Sequence, residues 1–235
     1  MSFITLNNLS KTYHTEAGEV RALKPTGLEI AEGSFLGIVG PSGSGKSTLL
    51  TLLGGLAKPS AGSLLIDGID VYRMNEEKRA DFRREYIGFV FQAYNLIPYL
   101  TAEENVMLPL AVTSMSSRKQ RQAALTALQR VGLANRVGHL PNQLSGGEQE
   151  RVAIARALVN NPPMILADEP TGSLDSSTSA EIMDLFQELN HEGQTILMVT
   201  HNVENRKYFD RVVSLRDGCV DVDEPKPTVK VAATG

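Results

Sequence analysis

The sequence is poor in the residues that build disulfide scaffolds and zinc sites, with one cysteine and four histidines among 235 residues. A lone cysteine, Cys219, cannot form an internal disulfide, which excludes the class of small secreted domains held by such bridges. No cysteine and histidine spacing fits a zinc motif. Long apolar runs are also missing, because none approaches the roughly 20 residues of a membrane-spanning helix, and no apolar leader follows Met1. We therefore expect a cytoplasmic chain without a membrane span, which reaches the inner face of the membrane only through a partner.

Positive charge is not in excess either. The formal net charge is −4 and the pI is near 5.6. Short basic segments such as 118–121 do not make the clustered surface that binding to a phosphate backbone requires. With 42% hydrophobic and 21% charged residues, the composition is that of an ordinary globular protein. We expect no nucleic-acid partner.

Apolar and β-branched runs predict two kinds of sheet. Three runs near the N-terminus predict an antiparallel sheet: Phe3–Leu9, Val20–Ile30 and Leu64–Ile66. Further strand-sized runs alternate with helical patterns, which predicts a mainly parallel sheet: Phe35–Val39, Ile87–Phe91, Met164–Ala167, Thr195–Val199 and Arg211–Leu215. The expected fold class is therefore α/β, with a mainly parallel sheet, an N-terminal antiparallel β subdomain and a helical insert.

One domain is expected over residues 1–222. Its core is predicted at about 1–92 and 160–222, and a helical subdomain at about 93–159, where the pattern turns from strand to helix. The last residues, 223–235, carry prolines with small or charged side chains, so we expect a disordered tail there.

The segment Gly40–Thr48 fits the pattern G-x-x-x-x-G-K-[S/T] and is called the phosphate loop below. In this pattern, successive backbone N–H groups wrap phosphates, the lysine reaches the β- and γ-phosphate oxygens, and the hydroxyl ligates Mg²⁺. A predicted strand precedes the segment and a predicted helix follows it, so a glycine-rich turn with a surface lysine is a poor alternative. The residues expected to contact a nucleotide here, with Ser47 also a metal ligand, are Gly40, Pro41, Ser42, Gly43, Ser44, Gly45, Lys46, Ser47 and Thr48.

Two carboxylates end the apolar run that begins at Met164. Asp168 and Glu169 are expected to emerge at the C-terminal edge of the sheet, beside the phosphate loop. There Asp168 can hold Mg²⁺ through water, and Glu169 is placed to act as the general base for an attacking water. A strand-end acidic pair turned to solvent is the alternative, which the phosphate loop makes the weaker interpretation.

Two more polar residues follow predicted strands. We expect His201 to contact the γ-phosphate and to hold the catalytic water in place. Gln92 is expected to bind Mg²⁺ or that water and to report the state of the nucleotide to the helical subdomain. Both assignments depend on position, because a single histidine or glutamine carries little signal. The predicted catalytic set is then Glu169, His201, Lys46 and Gln92, and the predicted metal ligands are Ser47, Gln92 and Asp168.

A second Ser-Gly-Gly element precedes the helical pattern Glu148–Val159. This element, Ser145–Glu148, is called the signature segment below, and it predicts another helix N-terminus able to bind an anion. Lys46 already marks one phosphate site in this chain. The residues alone therefore leave two interpretations of the signature segment open: an ordinary helix cap, or a contact with a second phosphate group.

The order of these elements resembles the ATP-binding subunits of ABC transporters, which implies a P-loop NTPase core of the ABC ATPase fold. It runs from the phosphate loop through Leu144-Ser-Gly-Gly-Glu148 to Met164-Ile-Leu-Ala-Asp168-Glu169. The resemblance implies that the signature segment faces the phosphate loop of another subunit, so that two chains pack head to tail and sandwich two ATP molecules. The contacts it implies across that interface come from Ser145, Gly146, Gly147 and Glu148.

The same resemblance assigns roles to residues outside the motifs. It implies that Tyr13 stacks on adenine, with a core tyrosine as the competing interpretation, and that Asp175 lies at the dimer interface. Stretches such as Arg83–Gln92 and Leu166–Gly172 resemble the branch that contains MacB and LolD. The apolar loop Ala93–Leu100 is expected to dock a membrane partner.

The resemblance therefore implies an ATPase that uses ATP and Mg²⁺, forms a homodimer with ATP, and powers an integral membrane permease subunit in export, lipoprotein release or mechanotransmission. A non-transport ATPase that regulates envelope or cell-division enzymes through a membrane partner is the alternative, and the sequence does not separate the two. Relatives that act in DNA repair or on ribosomes are excluded, because the chain has one phosphate loop and no long coiled coil.

Overall fold

Two β-sheets and six α-helices make up residues 2–16 and 18–225, the part of the chain that the computed structural model describes. The strands are β1 Ser2–Thr15, β2 Gly18–Ala31, β3 Phe35–Val39, β4 Ala61–Ile66, β5 Ile69–Asp70, β6 Ile87–Phe91, β7 Met164–Asp168, β8 Thr195–Thr200, β9 Arg211–Arg216 and β10 Cys219–Pro225. The helices are α1 Lys46–Leu53, α2 Glu76–Tyr86, α3 Ala102–Met107, α4 Ser117–Arg130, α5 Gly146–Leu158 and α6 Ser176–His191. Short 3₁₀ turns lie at Leu108–Leu110, Pro141–Gln143 and Val203–Tyr208.

The N-terminal sheet is antiparallel, as the sequence predicts, with strand order β2-β1-β4-β5. In β1, the apolar side chains of Phe3, Ile4, Leu6 and Leu9 are buried. The register between β1 and β2 shifts between Leu6 and Leu9, where Asn8 takes a left-handed φ of 48°. Asparagine tolerates this conformation, so the strand bends without losing its buried face.

The second sheet has strand order β10-β9-β3-β8-β7-β6, and its strands from β9 to β6 run parallel. Strands β3 and β8 are buried along their whole length, as expected where other elements cover both faces of a parallel sheet. In register, Val39 pairs with Thr200, Val199 with Asp168, and Asp168 with Phe91. The residues that follow these strand ends therefore meet at one edge of the sheet.

A hydrophobic core lies on each face of this sheet. Phe35 of β3 belongs to the core shared with α3 to α6, where it packs against Phe186 and Phe209 at centroid distances of 6.4 and 5.1 Å. Its neighbour Leu36 belongs to the core shared with α1 and the N-terminal sheet. This alternation follows from the two-residue period of a strand.

Two helices have features with local causes. Helix α1 ends at Leu53, because Gly54 and Gly55 follow, and Gly55 takes a φ of 62°. Helix α2 is rich in charged residues, yet it buries Phe82. None of the described helices is long and apolar enough to cross a membrane.

The predicted tail is corrected at its start. Strand β10 continues through Pro225, because Asp223 accepts two hydrogen bonds of 2.6 Å from the Arg211 guanidinium and the strand pairs with β9 over this stretch. The rest of the predicted tail, 226–235, lies outside the described residues.

Candidate functional site

The phosphate loop joins β3 to α1 and has a conformation that requires its glycines. Gly40 has a φ of 153°, and a Cβ atom there would lie 2.2 Å from the Leu215 carbonyl oxygen. Gly45 has a φ of 103°, and a Cβ atom there would lie 2.3 Å from the Ala22 carbonyl oxygen. A side chain at either position would displace a neighbouring strand, so the loop keeps its shape only with glycine.

Lys46 is held against the loop that precedes it. Its Nζ donates hydrogen bonds of 2.9 Å to the carbonyl oxygens of Gly40 and Pro41, and the residue is 8% exposed. The ammonium group therefore lies above the N-terminus of α1, where the backbone N–H groups of the first turn have no partner within the helix. A cation and a helix N-terminus at one place form an anion site.

A cavity of about 560 Å³ opens at this place and is called the phosphate-loop cavity below. Glu169 and His201, which follow β7 and β8, lie in its wall, so the structure brings them to the phosphate loop. The loop residues that line it are Ser42, Gly43, Gly45, Lys46, Ser47 and Thr48. Gly40, Pro41 and Ser44 do not line it; Ser44 is buried, and its carbonyl accepts a 3.1 Å hydrogen bond from the Gly218 N–H.

Asp168 and Ser47 supply two oxygen donors beside this cavity. Partial burial and the neighbouring Glu169 carboxylate raise the pKa of Asp168, while Lys46 and a hydrogen bond with the Ser47 hydroxyl oppose that shift. A hydroxyl and a carboxylate next to a phosphate site are the hard oxygen ligands that suit Mg²⁺.

Glu169 and His201 form a side-chain pair. The Nδ1 atom of His201 lies 2.8 Å from one Glu169 carboxylate oxygen, and the His201 backbone N–H donates a 3.2 Å hydrogen bond to the other. Glu169 has a φ of 50°, and its N–H donates a 2.9 Å hydrogen bond to the Val199 carbonyl. A non-glycine residue in this strained region is typical of functional sites. The strain turns the carboxylate out of the sheet and toward His201.

Gln92 follows β6 at the same edge of the sheet. It does not line the phosphate-loop cavity, and its Nε2 atom lies 3.0 Å from where a Cβ atom on Gly172 would be. Its roles toward a metal or a water stay predictions.

Tyr13 lies next to the cavity and not in its wall. It pairs in register with Val20, which does line the cavity, and it is 39% exposed. The Lys11 ammonium lies 4.9 Å from the centre of its ring. Because the side chain is partly exposed, Tyr13 is not a core residue, and it lies beside the cavity.

The signature segment begins helix α5, away from the phosphate-loop cavity of the same chain. The Ser145 hydroxyl accepts a 3.2 Å hydrogen bond from the Glu148 N–H, and the Glu148 carboxylate accepts a 2.8 Å hydrogen bond from the Ser145 N–H, which completes a capping box. Glu148 also pairs with Arg136 at 2.8 Å, and this contact, followed by the bond from Ser145, lowers the pKa of the Glu148 carboxyl. A Cβ atom on Gly147 would lie 2.4 Å from a Thr178 methyl carbon.

Sequence reasoning missed five residues of the cavity wall. Val20, Arg21 and Ala22 of β2 and the turn residues Asp217 and Gly218 line it together with the phosphate loop. The turn is fixed there because the Lys24 N–H donates a 2.8 Å hydrogen bond to the Gly218 carbonyl. No local pattern marks these residues, since they are distant from the phosphate loop in sequence.

Helix α5 also contains Glu150, a fully buried glutamate. Neither of its carboxylate oxygens has a hydrogen-bond partner among the described residues, and burial raises its pKa to about 9. The folded-state pKa lies above the ordinary value of 4.5, so the neutral acid is favoured by folding. Its contribution to stability is complete below about pH 4.5 and is lost as the pH rises toward 9.

Glu150→Gln is therefore expected to become more stable than the parent protein as the pH rises. The amide has the shape of the neutral acid and does not ionise, so the difference should reach on the order of 2–6 kcal/mol near pH 9. Urea unfolding at pH 5, 7 and 9 measures it. Glu188→Gln, at an exposed position of α6, is the control and should show no such trend. A Glu150→Gln difference that stays constant over this range would contradict a neutral buried acid.

Comparison with known proteins assigns this site to a family. The family model described as ABC transporter matches residues 23–172. The chain belongs to the ABC transporter family. Members of this family hydrolyse ATP, and this ABC chain is an ATP-binding ATPase subunit.

The ABC chain is similar to proteins from several organisms. It is 50% identical to the uncharacterized ABC transporter ATP-binding protein MJ0796 of Methanocaldococcus jannaschii, over 94% of this chain and 96% of the relative. It is 44% identical to the lipoprotein-releasing system ATP-binding protein LolD of Hyphomonas neptunium, over 92% and 95%. It is 48% identical to the macrolide export ATP-binding/permease protein MacB of a Shewanella species, over 93% of this chain but 34% of that longer protein.

Solved structures confirm the predicted fold class. A dimeric structure of MJ0796 matches with a TM-score of 0.86 at 48% identity, over 94% of this chain and 98% of the other. A dimeric post-hydrolysis state of the same cassette, bound to ADP and Pi, matches with a TM-score of 0.86 at 47% identity. The ABC ATPase fold predicted from the sequence is therefore the observed one.

Proposed function

We propose that this ABC ATPase binds Mg²⁺ and ATP between two copies of itself, hydrolyses the ATP with Glu169 as general base, and drives an integral membrane partner from the cytoplasmic face. The observation that carries the proposal is the Glu169–His201 pair in the wall of the phosphate-loop cavity. A carboxylate held by histidine at a phosphate site is placed to take a proton from the attacking water.

Each residue of the site has a task in this proposal. The Lys46 ammonium and the open N–H groups of α1 bind the β- and γ-phosphates, and Tyr13 stacks on the base. Ser47 and Asp168 would hold Mg²⁺, which when bound neutralises phosphate charge. His201 keeps the Glu169 carboxylate turned into the cavity and holds the water in line.

The position of the signature segment supports a head-to-tail pair. Its helix N-terminus is a second anion site, yet none of its residues lines the phosphate-loop cavity of its own chain. A two-fold pair uses one self-complementary surface twice, so each signature segment would complete the site of the other chain. The dimeric MJ0796 structures are consistent with this arrangement.

A groove of about 650 Å³ between α2, β6 and the helical subdomain is the proposed dock for the membrane partner. Its apolar surface includes Leu56 and Val112, which are 51% and 72% exposed, together with Phe89 and Phe91. Charged residues also line it: Asp81, Arg83, Arg84 and Arg156. The groove suits a helix with an apolar face.

This groove adjoins the dock predicted at Ala93–Leu100, which stays a prediction. Leu96 is half-buried against the core, and the Ile97 N–H and carbonyl bond the side-chain amide of the fully buried Asn105 at 2.8 and 3.2 Å. These residues therefore help to fix the subdomain. Asn95 is the member of that loop that lines the groove.

The work done on the membrane partner is proposed from the named relatives. LolD is named for lipoprotein release and MacB for macrolide export. We propose that this ATPase drives a process of the same kind: export, lipoprotein release or transmission of force across the membrane.

Leu56→Asp combined with Val112→Asp is expected to reduce recovery of the ATPase with its membrane subunit by about tenfold or more, since two charges would be buried in the groove. Basal ATPase activity should stay near the parental value, because both side chains are exposed and distant from the phosphate loop. Pull-down from detergent-solubilised membranes, beside an ATPase assay, measures both. Met115→Asp, an exposed apolar position outside the groove, is the control. Undiminished recovery of the double variant would rule out this dock.

A further inference from the structure

The segment after Gln92 contains two consecutive residues in the left-handed region. Tyr94 has a φ of 58° and Asn95 a φ of 50°. Asparagine adopts this conformation readily, whereas a bulky tyrosine rarely does. Such strain persists only where the surroundings hold it in place. The segment Gln92–Asn95, called the Gln92 loop below, therefore needs a partner that fixes its backbone.

Arg156, on helix α5, is that partner. One guanidinium nitrogen donates a 2.6 Å hydrogen bond to the Asn95 carbonyl, and the other donates a 2.6 Å hydrogen bond to the Tyr94 carbonyl. Short hydrogen bonds from a charged donor are stronger than neutral ones, and the planar fork fixes the two carbonyls relative to each other. The contact spans about 60 residues of sequence, so it ties the loop to a separate helix.

The same helix carries the signature segment at its other end. There the Tyr94 side chain approaches the helix, because a Cβ atom on Gly146 would lie 3.2 Å from the Tyr94 hydroxyl oxygen. Tyr94 is thus held at its carbonyl by Arg156 and reaches the first residue of α5 with its hydroxyl. The loop is therefore fixed to α5 by the Arg156 hydrogen bonds and lies close to the start of the helix through the Tyr94 hydroxyl.

The nearby acid does not compete for the arginine. Glu150 lies between Gly146 and Arg156 in sequence, is fully buried, and makes no hydrogen bond within the described residues. Without a hydrogen bond between the two side chains, the guanidinium donors go to the loop carbonyls.

We propose that Arg156 is a positioning residue that joins the Gln92 loop to the signature helix, so that engagement of Gln92 at one nucleotide is transmitted to the signature segment at the other. This inference rests on the proposed two-chain sandwich, and it adds the sequence prediction that Gln92 contacts its own chain's ATP while the signature segment serves the ATP of the other chain. Asn95 and Arg156 also line the groove proposed as the dock, so a partner helix seated there would contact the same junction.

Arg156→Lys keeps the charge and loses the fork, so it tests the junction with little change in electrostatics. In a Glu169→Gln background, the ATP-driven dimer should dissociate about tenfold more readily by sedimentation, while the Kd of monomeric chains for a fluorescent ATP analogue stays within about twofold. Arg151→Lys is the matched control, because Arg151 also lies on α5 and donates to a backbone carbonyl, that of Val131, at 3.2 Å. It should leave dimerisation at the level of its Glu169→Gln parent.

A double-mutant cycle with Gln92→Ala separates positioning from simple stability. If Arg156 acts through Gln92, then Arg156→Lys should add no more than about twofold to the dimerisation defect of Gln92→Ala. Additive effects, or a defect equal to that of Arg151→Lys, would overturn the inference. Tyr94→Phe is the second variant should Arg156→Lys not fold. It removes only the hydroxyl beside Gly146, and loss of this close contact should weaken dimerisation about twofold. Parental dimerisation would count against the junction. A Glu169→Gln parent that stays monomeric with ATP would instead overturn the proposed sandwich, and the coupling with it.

Discussion

Glu169→Gln is expected to lower the rate of ATP hydrolysis by about 10²–10⁴-fold, the usual contribution of a general base, while ATP binding stays at the parental level. The amide has nearly the same shape as the carboxylate, so it can keep the 3.2 Å hydrogen bond from the His201 N–H. It cannot take a proton from water. Binding is retained because the phosphates are held by the phosphate loop, which the substitution does not touch.

The trapped variant should also accumulate as a dimer with ATP, since the step that would open the pair no longer occurs. Phosphate release under saturating ATP and sedimentation with and without ATP measure the two effects. Glu204→Gln is the control, because this exposed residue lies in the 3₁₀ turn after His201 and does not line the phosphate-loop cavity. Turnover of Glu169→Gln near the parental rate would refute its assignment as the base.

Chains that carry Lys46→Ala and chains that carry Ser145→Arg should each be inactive alone and regain activity when mixed. Lys46→Ala removes the buried ammonium above the phosphate loop, and Ser145→Arg removes the helix cap and fills the space before α5. In a mixed pair, one site combines both defects, and the other combines an intact phosphate loop with an intact signature segment. Random pairing should restore about a quarter of the parental rate, because half of the pairs are mixed and each has one intact site of two.

Steady-state ATPase rates of the mixture against total protein concentration give the measurement. Each variant alone is the control, and the parental rate should curve upward at low concentration because a pair is needed. Strictly linear activity per chain, or a mixture as inactive as its parts, would show that the sites are not shared between chains.

The sequence by itself determined the order of strands and helices along the chain and the backbone conformation of the phosphate loop. The phosphate loop is local, since its glycines and the strand before it fix the path of a few consecutive residues. The placement of Glu169 and His201 in one cavity also followed from sequence, because parallel strands end at a common edge and both residues follow such strands. Their catalytic roles remain predictions that the substitutions above test.

The tertiary structure alone decided where several side chains point and which distant residues meet. Gln92 follows a strand as predicted, yet its amide lies against Gly172, because rotation of a side chain depends on its neighbours in space. Leu96 has the apolar character of a docking residue, and only packing showed that it covers the core. The contacts of Arg156 with the Gln92 loop join residues about 60 positions apart, and burial of Glu150 depends on the elements folded around it. Short-range sterics and hydrogen bonding fix a motif from its own residues, whereas burial and long-range contacts exist only after the chain has packed.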